Sequence, residues 1–347
     1  MTSAAVGSAP VKDPAADVVA ALDVAPLDVV GIGNALVDVL THGDDEFLQR
    51  HQLVKGSMTL IDTARSNELY EAMGPGIEQS GGSAGNTIAG IASFGGSCGY
   101  IGKIADDQLG DVFAHDLEAA GVAFSCPKSD LGVPTGRCLI VVTADGQRTM
   151  STYLGVSELL GPDDVDADLV ASAKVIYLEG YLWDKPGAMA AYRKAAEVAH
   201  AAGRRVSLTL SDSFCVARHR EAFLDLVETQ VDVLFANEPE ITELYRVDSF
   251  DAALQRARGH CEIAALTRSA KGSVIVSGDE VHVIDAHPVE RVVDTTGAGD
   301  LYAAGFLFGL TRGMPLARCG QLGSMAAAQV ISQMGPRPAM ALTTLLK

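Results

Sequence analysis

The residues most suited to chemistry lie near the C-terminal end, where Asp294-Thr-Thr-Gly-Ala-Gly-Asp300 runs into the apolar stretch 301–310. Gly297 and Gly299 permit a tight turn whose amides point one way, and the run behind Asp300 reads as a helix. Amide N–H groups at a helix N-terminus, aided by the dipole, form an anion site. Asp300 falls in the first turn and faces the same place. A carboxylate beside an anion site is awkward for binding alone, but suits the acceptance of a proton from a hydroxyl that attacks a bound phosphate. The competing reading is an ordinary helix start with Asp300 at the positive dipole end. Local physics leaves the two readings even.

Four further clusters are candidates. In Gly81-Gly-Ser-Ala-Gly-Asn86 the glycines allow close approach to the backbone, and Asn86 offers donor and acceptor to vicinal hydroxyls. Gly31-Ile-Gly-Asn34-Ala-Leu-Val-Asp38 is not a dinucleotide fingerprint, because Leu36 stands where the third glycine is needed. Asn237-Glu-Pro-Glu240 ends a strand-like run, and Glu240 is either a water-mediated magnesium ligand or a solvated first-turn acid. In Thr267-Arg-Ser-Ala-Lys-Gly272, Arg268 and Lys271 are equal candidates for contact with phosphates. No Gly-Lys-Ser/Thr sequence supplies a Walker loop.

Together these motifs resemble the signatures of the ribokinase-like (PfkB-type) carbohydrate kinases, over roughly residues 28–340. The resemblance implies ATP as co-substrate, Mg2+ as cofactor and Asp300 as catalytic base. It makes Gly297, Ala298 and Gly299 the anion hole, and adds Asn237, Thr267, Ser269 and Gly272, with Gly297 and Gly299, as the ATP site. Glu240 would hold magnesium through water. Asp294, with the Gly335 loop, marks the place of a monovalent cation such as K+, whose need the sequence leaves open. Ser269 replaces a glycine of the family pattern, so a positive φ there would carry strain.

Within the family, Gly33-Asn-Ala-Leu-Val-Asp38, Pro134-Thr-Gly-Arg-Cys138, Ser207-Leu-Thr-Leu-Ser211 and 231–237 are similar to the adenosine kinase branch. That likeness implies a nucleoside site built from Asn34, Leu36, Asp38, Leu60, Gly81, Gly82, Asn86, Leu154, Val156 and Phe214. Asp38 would accept hydrogen bonds from sugar hydroxyls, and the apolar residues would face a base. Transfer of the ATP γ-phosphoryl group to the 5′-hydroxyl of adenosine is the expected reaction. A ribose, fructose or ketodeoxy-acid kinase is the alternative, and a non-catalytic ligand sensor the third reading.

The elements that must position these residues follow from periodicity. From 174 onward, short apolar runs alternate with amphipathic ones, which implies right-handed βαβ crossovers. Runs at 137–143 and 147–153 flank Asp145-Gly146 and predict a hairpin. The expected architecture is a ribokinase-like three-layer α/β/α domain over 27–347, with a mostly parallel central sheet. A small β-sheet lid is expected from about 36–42, 57–63 and 134–156. Residues 1–26 lack the basic start and apolar core of a secretory signal and are expected to form a disordered tail. Helices are expected at 87–94, 187–202, 219–228, 240–245, 300–311 and 315–332.

Composition bounds the partners. The chain of 347 residues is 48% hydrophobic and carries a formal charge of −18, which would repel a nucleic-acid backbone. No apolar run reaches the roughly 20 residues of a membrane span. Six scattered cysteines without a zinc spacing suit reduced thiols and a cytoplasmic setting. A monomer is favoured over a homodimer in which two lids pair.

Overall fold

The computed structural model describes residues 26–124 and 126–347. The expected tail therefore lies, save for Pro26, outside the described residues. The chain runs β1 (Leu27–Ile32), β2 (Leu36–His42), α1 (Asp45–Arg50), β3 (Met58–Leu60), α2 (Thr63–Ala72) and β4 (Ile77–Ser80). Next come α3 (Ser83–Ser93), β5 (Cys98–Ile101), α4 (Gln108–Ala119), β6 (Val122–Phe124) and the hairpin of β7 (Gly136–Val142) and β8 (Arg148–Tyr153). Alternation then sets in with α5 (Ala167–Ser172), β9 (Ala173–Glu179), α6 (Pro186–Ala201), β10 (Arg205–Thr209), α7 (Ser213–Thr229) and β11 (Val233–Asn237). The remainder is α8 (Glu238–Tyr245), α9 (Phe250–Ala257), β12 (Ile263–Thr267), β13 (Ser273–Ser277), β14 (Glu280–Ile284), α10 (Ala298–Thr311) and α11 (Leu316–Ile331).

Nine strands form the large sheet in the order β14-β13-β12-β11-β10-β9-β1-β5-β6. It is parallel from β12 to β6, and β13 and β14 add antiparallel strands at one edge. Alternate side chains of each strand enter different cores. Val29 of β1 and Val175 and Tyr177 of β9 join α3, α4, α10 and α11 on one face. Val30 and Ile32, with Ile176 and Leu178, join α6, α7, α8 and α9 on the other. Burial on both faces explains the near-continuous apolar runs, each full side chain contributing about 1.5–3 kcal/mol. Asp28, buried at the start of β1, ties the lower rim together through Lys174 (2.8 Å) and Arg312 (2.9 Å).

The second sheet has the order β3-β8-β7-β2-β4. Its register places Asp38 beside Cys138 and Cys138 beside Thr152, so Asp38 shares a face with Leu40, Ile140 and Met150. The hairpin turns as its Asp-Gly predicts, with Gly146 at φ +80°. The architecture is the expected ribokinase-like fold with a small sheet as lid.

Two helix starts differ from expectation by four residues or more. α3 begins at Ser83 rather than 87, which places Asn86 inside its first turn. α7 begins at Ser213 rather than 219, because the Asp212 carboxylate caps the Cys215 N–H at 2.7 Å; the expected start falls at a kink, with His219 at φ −121°.

Candidate active site

The C-terminal ends of the parallel strands, where ligands bind in open α/β sheets, bring the motifs together. Gly297 takes a left-handed turn (φ +78°) and opens α10, with Asp300 in the first turn. The Asp300 carboxylate accepts from Ser83 Oγ at 2.7 Å on Oδ1 and from Asn86 Nδ2 at 3.0 Å on Oδ2. Thr87 donates to its backbone carbonyl at 3.2 Å. Two motifs separated by more than two hundred residues thus meet at one carboxylate. Desolvation pushes its pKa up to about 6, against the Ser83 and Asn86 hydrogen bonds and the charge of Arg337, which pull it down. The anion cradle differs in one detail from expectation. Ala298 N–H is directed to Thr295 O (3.2 Å), so the amides left at the open helix end include those of Gly299 and Asp300. A Cβ on Gly299 would meet nothing within 4 Å. The cradle is open where an incoming group needs room.

Asn34, expected to face a sugar, has its side chain locked from below. Its Nδ2 donates to Glu179 Oε1 at 2.7 Å and its Oδ1 accepts from Ser157 Oγ at 2.9 Å. Glu179 also accepts from the N–H groups of Asn34 (2.9 Å) and Ala84 (2.8 Å). This buried carboxylate, which the motifs did not reveal, fastens the turn after β1 to the start of α3. Burial lifts its pKa to about 7 despite those three donors. A charged residue ending the apolar run of β9 was the available signal. Gly81 and Gly82 are required by the protein itself: a Cβ on Gly81 would lie 2.5 Å from Asp38 Oδ1, and one on Gly82 2.4 Å from Asn34 O. Asp38 is 7% exposed, and among the described residues no hydrogen bond engages its carboxylate. Burial raises its pKa to about 7, opposed by Arg337 and Arg148.

On the nucleotide side, Asn237 and Glu240 form a reciprocal cap at the start of α8. Glu240 N donates to Asn237 Oδ1 (2.9 Å), while Asn237 N (2.9 Å) and Nδ2 (2.6 Å) donate to the Glu240 carboxylate. Burial raises the Glu240 pKa to about 7, helped by the charge of Asp212. Thr267 ends β12, and Ser269 adopts φ +52°, the strain expected where a glycine is replaced. Gly272 cannot be replaced: its φ is +79° and a Cβ would fall 1.9 Å from Ile284 O. Of the two cations weighed here, Arg268 is engaged by Glu238 (3.2 Å) and by the Phe250 ring (4.1 Å), whereas Lys271 is exposed.

Asp294 is fully engaged. Its Oδ1 accepts from Thr296 N (3.0 Å) and Oγ1 (2.8 Å), and its Oδ2 from Gly335 N (2.9 Å) and Arg148 Nη2 (2.8 Å). With its charge met by a buried guanidinium, this carboxylate does not fit a monovalent cation. Arg148, a second residue the motifs did not reveal, reaches it from the lid strand β8. Its Nε and Nη1 are buried without a partner among the described residues.

The expected base-pocket residues do not all converge. Leu60 and Leu154 line a pocket of about 430 Å³ with Pro134, Tyr153 and Glu158. Leu36 packs in the core against Gly136, and Val156 is fully buried. Phe214 is 77% exposed on α7. Tyr181, just after β9, donates its hydroxyl to Ser211 O (3.3 Å). The charges of Asp212, Asp300, Glu240 and Glu179 all act on its hydroxyl and, with burial, hold its pKa well above the ordinary value.

These neighbouring negative charges bear on magnesium. A phosphate chain entering among them needs a counter-charge. The described residues hold no cluster of three or more His, Cys, Asp or Glu side chains able to bind a metal alone. Mg2+ keeps several waters and is shared between one or two carboxylates and substrate phosphates. Glu240 is the fitting protein group.

Residues 58–342 match the family described as pfkB family carbohydrate kinase. The chain belongs to that family. It is an ATP-dependent phosphotransferase. This kinase is 53% identical to adenosine kinase from Sinorhizobium meliloti, with TM-score 0.86 over 93% of this chain and 99% of that one. It is 50% identical to a probable sugar kinase from Rhizobium etli CFN 42, again with TM-score 0.86, over 93% of this chain and 98% of the other. Yeast (Saccharomyces cerevisiae) adenosine kinase is 29% identical over 337 residues, 90% of this chain and 96% of the yeast protein. Among the described residues no helix is long and apolar enough to cross a membrane.

Proposed function

We propose that this kinase transfers the γ-phosphoryl group of ATP to the 5′-hydroxyl of adenosine, giving AMP and ADP. The observation that carries the reaction is the Asp300 carboxylate, fixed by Ser83 and Asn86 at the open N-terminus of α10. In the reaction, the hydroxyl oxygen forms a bond to the γ-phosphorus, the bond from that phosphorus to the β-phosphate oxygen breaks, and the hydroxyl proton passes to Asp300. Amides at the helix end receive the charge that develops on the transferred group. Asp38 accepts hydrogen bonds from the ribose diol and so fixes which hydroxyl reaches the base. Glu240 would hold magnesium through water, with Asn237 beside the phosphates. That ion, bound with ATP, neutralises phosphate charge.

Adenosine is favoured over a bare sugar by the apolar side chains of Leu40, Ile140 and Met150 on the Asp38 face of the lid, since a base needs contact area more than hydrogen bonds. The two relatives named adenosine kinase add to this. The second reading is a sugar kinase, favoured by the 50% identity to the Rhizobium etli protein. ADP release measured with Mg2+ and ATP against adenosine, other nucleosides, ribose, fructose and ketodeoxy acids separates them. Adenosine as the preferred substrate by at least tenfold in kcat/KM is expected. Response to free sugars alone would overturn the nucleoside reading.

A further inference from the structure

Four consecutive residues after α11 each touch a different part of the site. Met334 Sδ lies 4.0 Å from Arg148 Nη2 of the lid. Gly335 donates to Asp294, at the entrance to the amide cradle. Pro336 packs so closely on the cradle that a Cβ on Gly297 would stand 2.8 Å from its Cα. Arg337 reaches furthest, with Nε donating to Asn86 Oδ1 at 2.9 Å and Nη2 to Ser80 Oγ at 3.1 Å. Gln333 fastens the loop, donating to Arg337 O (2.5 Å) and accepting from Ala339 N (3.2 Å).

We infer that Arg337 is a positioning residue for Asp300: its guanidinium holds the Asn86 amide so that Nδ2 meets the base, and its charge favours the carboxylate form. The inference rests on Asp300 acting as the base. An amide presents one acceptor and one donor face. Asn86 spends the acceptor on Arg337 and the donor on Asp300, so the two bonds fix one orientation. Charge points the same way. Asp38 from β2, Glu179 and Tyr177 from β9, and Tyr181 beyond it share the surroundings of Asp300, which are otherwise acidic or neutral. Arg337 is the cation whose charge lowers the Asp300 pKa; it acts on the neighbouring Asp38 as well, ahead of Arg148. Burial in turn depresses the Arg337 pKa, offset by the charges of Asp38, Asp116 and Asp300.

The test separates charge from hydrogen bonding. Arg337→Gln keeps a donor toward Asn86 and removes the charge; Arg337→Lys keeps the charge and loses the fork. The pH dependence of kcat/KM for the nucleoside is read at saturating Mg2+ and ATP. The folded fraction of each variant, followed by circular dichroism across the same pH range, is divided out, because stability itself changes with pH. For Arg337→Gln the acidic limb is expected to move up by about 1 pH unit, the size of one nearby charge, with kcat at neutral pH about tenfold lower. For Arg337→Lys the limb is expected to stay in place while kcat falls. An unmoved limb in Arg337→Gln, or an equal movement in both, overturns the inference. Asp300→Asn is measured alongside. If it retains turnover, the base assignment itself fails, an outcome distinct from failure of the Arg337 role.

Discussion

Glu179 offers a quantitative test of how the sugar side of the site is held. Replacing it with Gln preserves shape but removes an ionisable group that burial has moved from 4.5 to about 7. The folded protein therefore binds more protons than the unfolded chain between those values, and stability falls as pH rises through that window. The favourable contribution is complete below 4.5 and gone above about 7. At 1.36 kcal/mol per pH unit, the lift corresponds to about 3 kcal/mol. Asp38, Glu240 and Asp300 are raised too and slope the same way, so the informative quantity is the difference between wild type and variant. Glu179→Gln pays a local cost, because its amide can turn a donor toward one of the three N–H groups that Glu179 now accepts from, about 1–3 kcal/mol. Urea unfolding between pH 5 and 8 should show the variant weakest relative to wild type at pH 5 and gaining by roughly 2–3 kcal/mol toward pH 8. Nucleoside KM should rise at every pH, since Asn34 and Ala84 lose their common anchor. A stability difference that is flat across the window would refute the reasoning.

Three other substitutions probe the cradle and its supports. Gly297→Ala forces a Cβ onto Pro336 at φ +78° and should cost about 1–3 kcal/mol in urea unfolding, with turnover falling more than nucleoside affinity; unchanged turnover would contradict the cradle. Ser269→Gly relieves φ +52° and should leave stability equal to wild type or higher by up to about 1 kcal/mol, whereas a loss beyond about 1 kcal/mol would contradict strain there. Arg148→Met strands the buried Asp294 carboxylate and should cost about 3–5 kcal/mol, most of it recovered when Asp294→Leu is added; additive losses in that double-mutant cycle would deny the pairing.

The parts of the site that lay within one stretch of chain were legible in the sequence, and those made across the fold were not. Asp300 could be read because two glycines and a helix start stand beside it, and Asn237 and Glu240 because their spacing resembles a family motif, although their mutual cap of α8 was not foreseen. Ser83 sits 217 positions from Asp300, Glu179 sits 145 from Asn34 and Arg337 sits 251 from Asn86; such pairs leave no local pattern. The glycines at 81 and 82 were expected to let a sugar approach the backbone; within the protein, a Cβ on either would already meet Asp38 or Asn34. The hairpin of β7 and β8 announced itself through Asp145-Gly146, while β4 was obscured by its short polar sequence Ile77-Glu-Gln-Ser80. α4 carried a signal that was passed over, with Asp107 as cap and Leu109, Phe113 and Leu117 spaced by four along its buried face. The base pocket was hardest, because which apolar residues line a cleft depends on the packing of lid against body: Val156 went to the core and Phe214 to the surface.

The most direct measurement compares wild type with Asp300→Asn, using calorimetry for adenosine binding and single-turnover kinetics with Mg2+ and ATP for phosphoryl transfer. With Asp300 as base, affinity should stay within a few-fold while transfer falls by about 10²–10⁴-fold. Transfer within a few-fold of wild type, or loss of binding in proportion to loss of rate, would contradict the assignment.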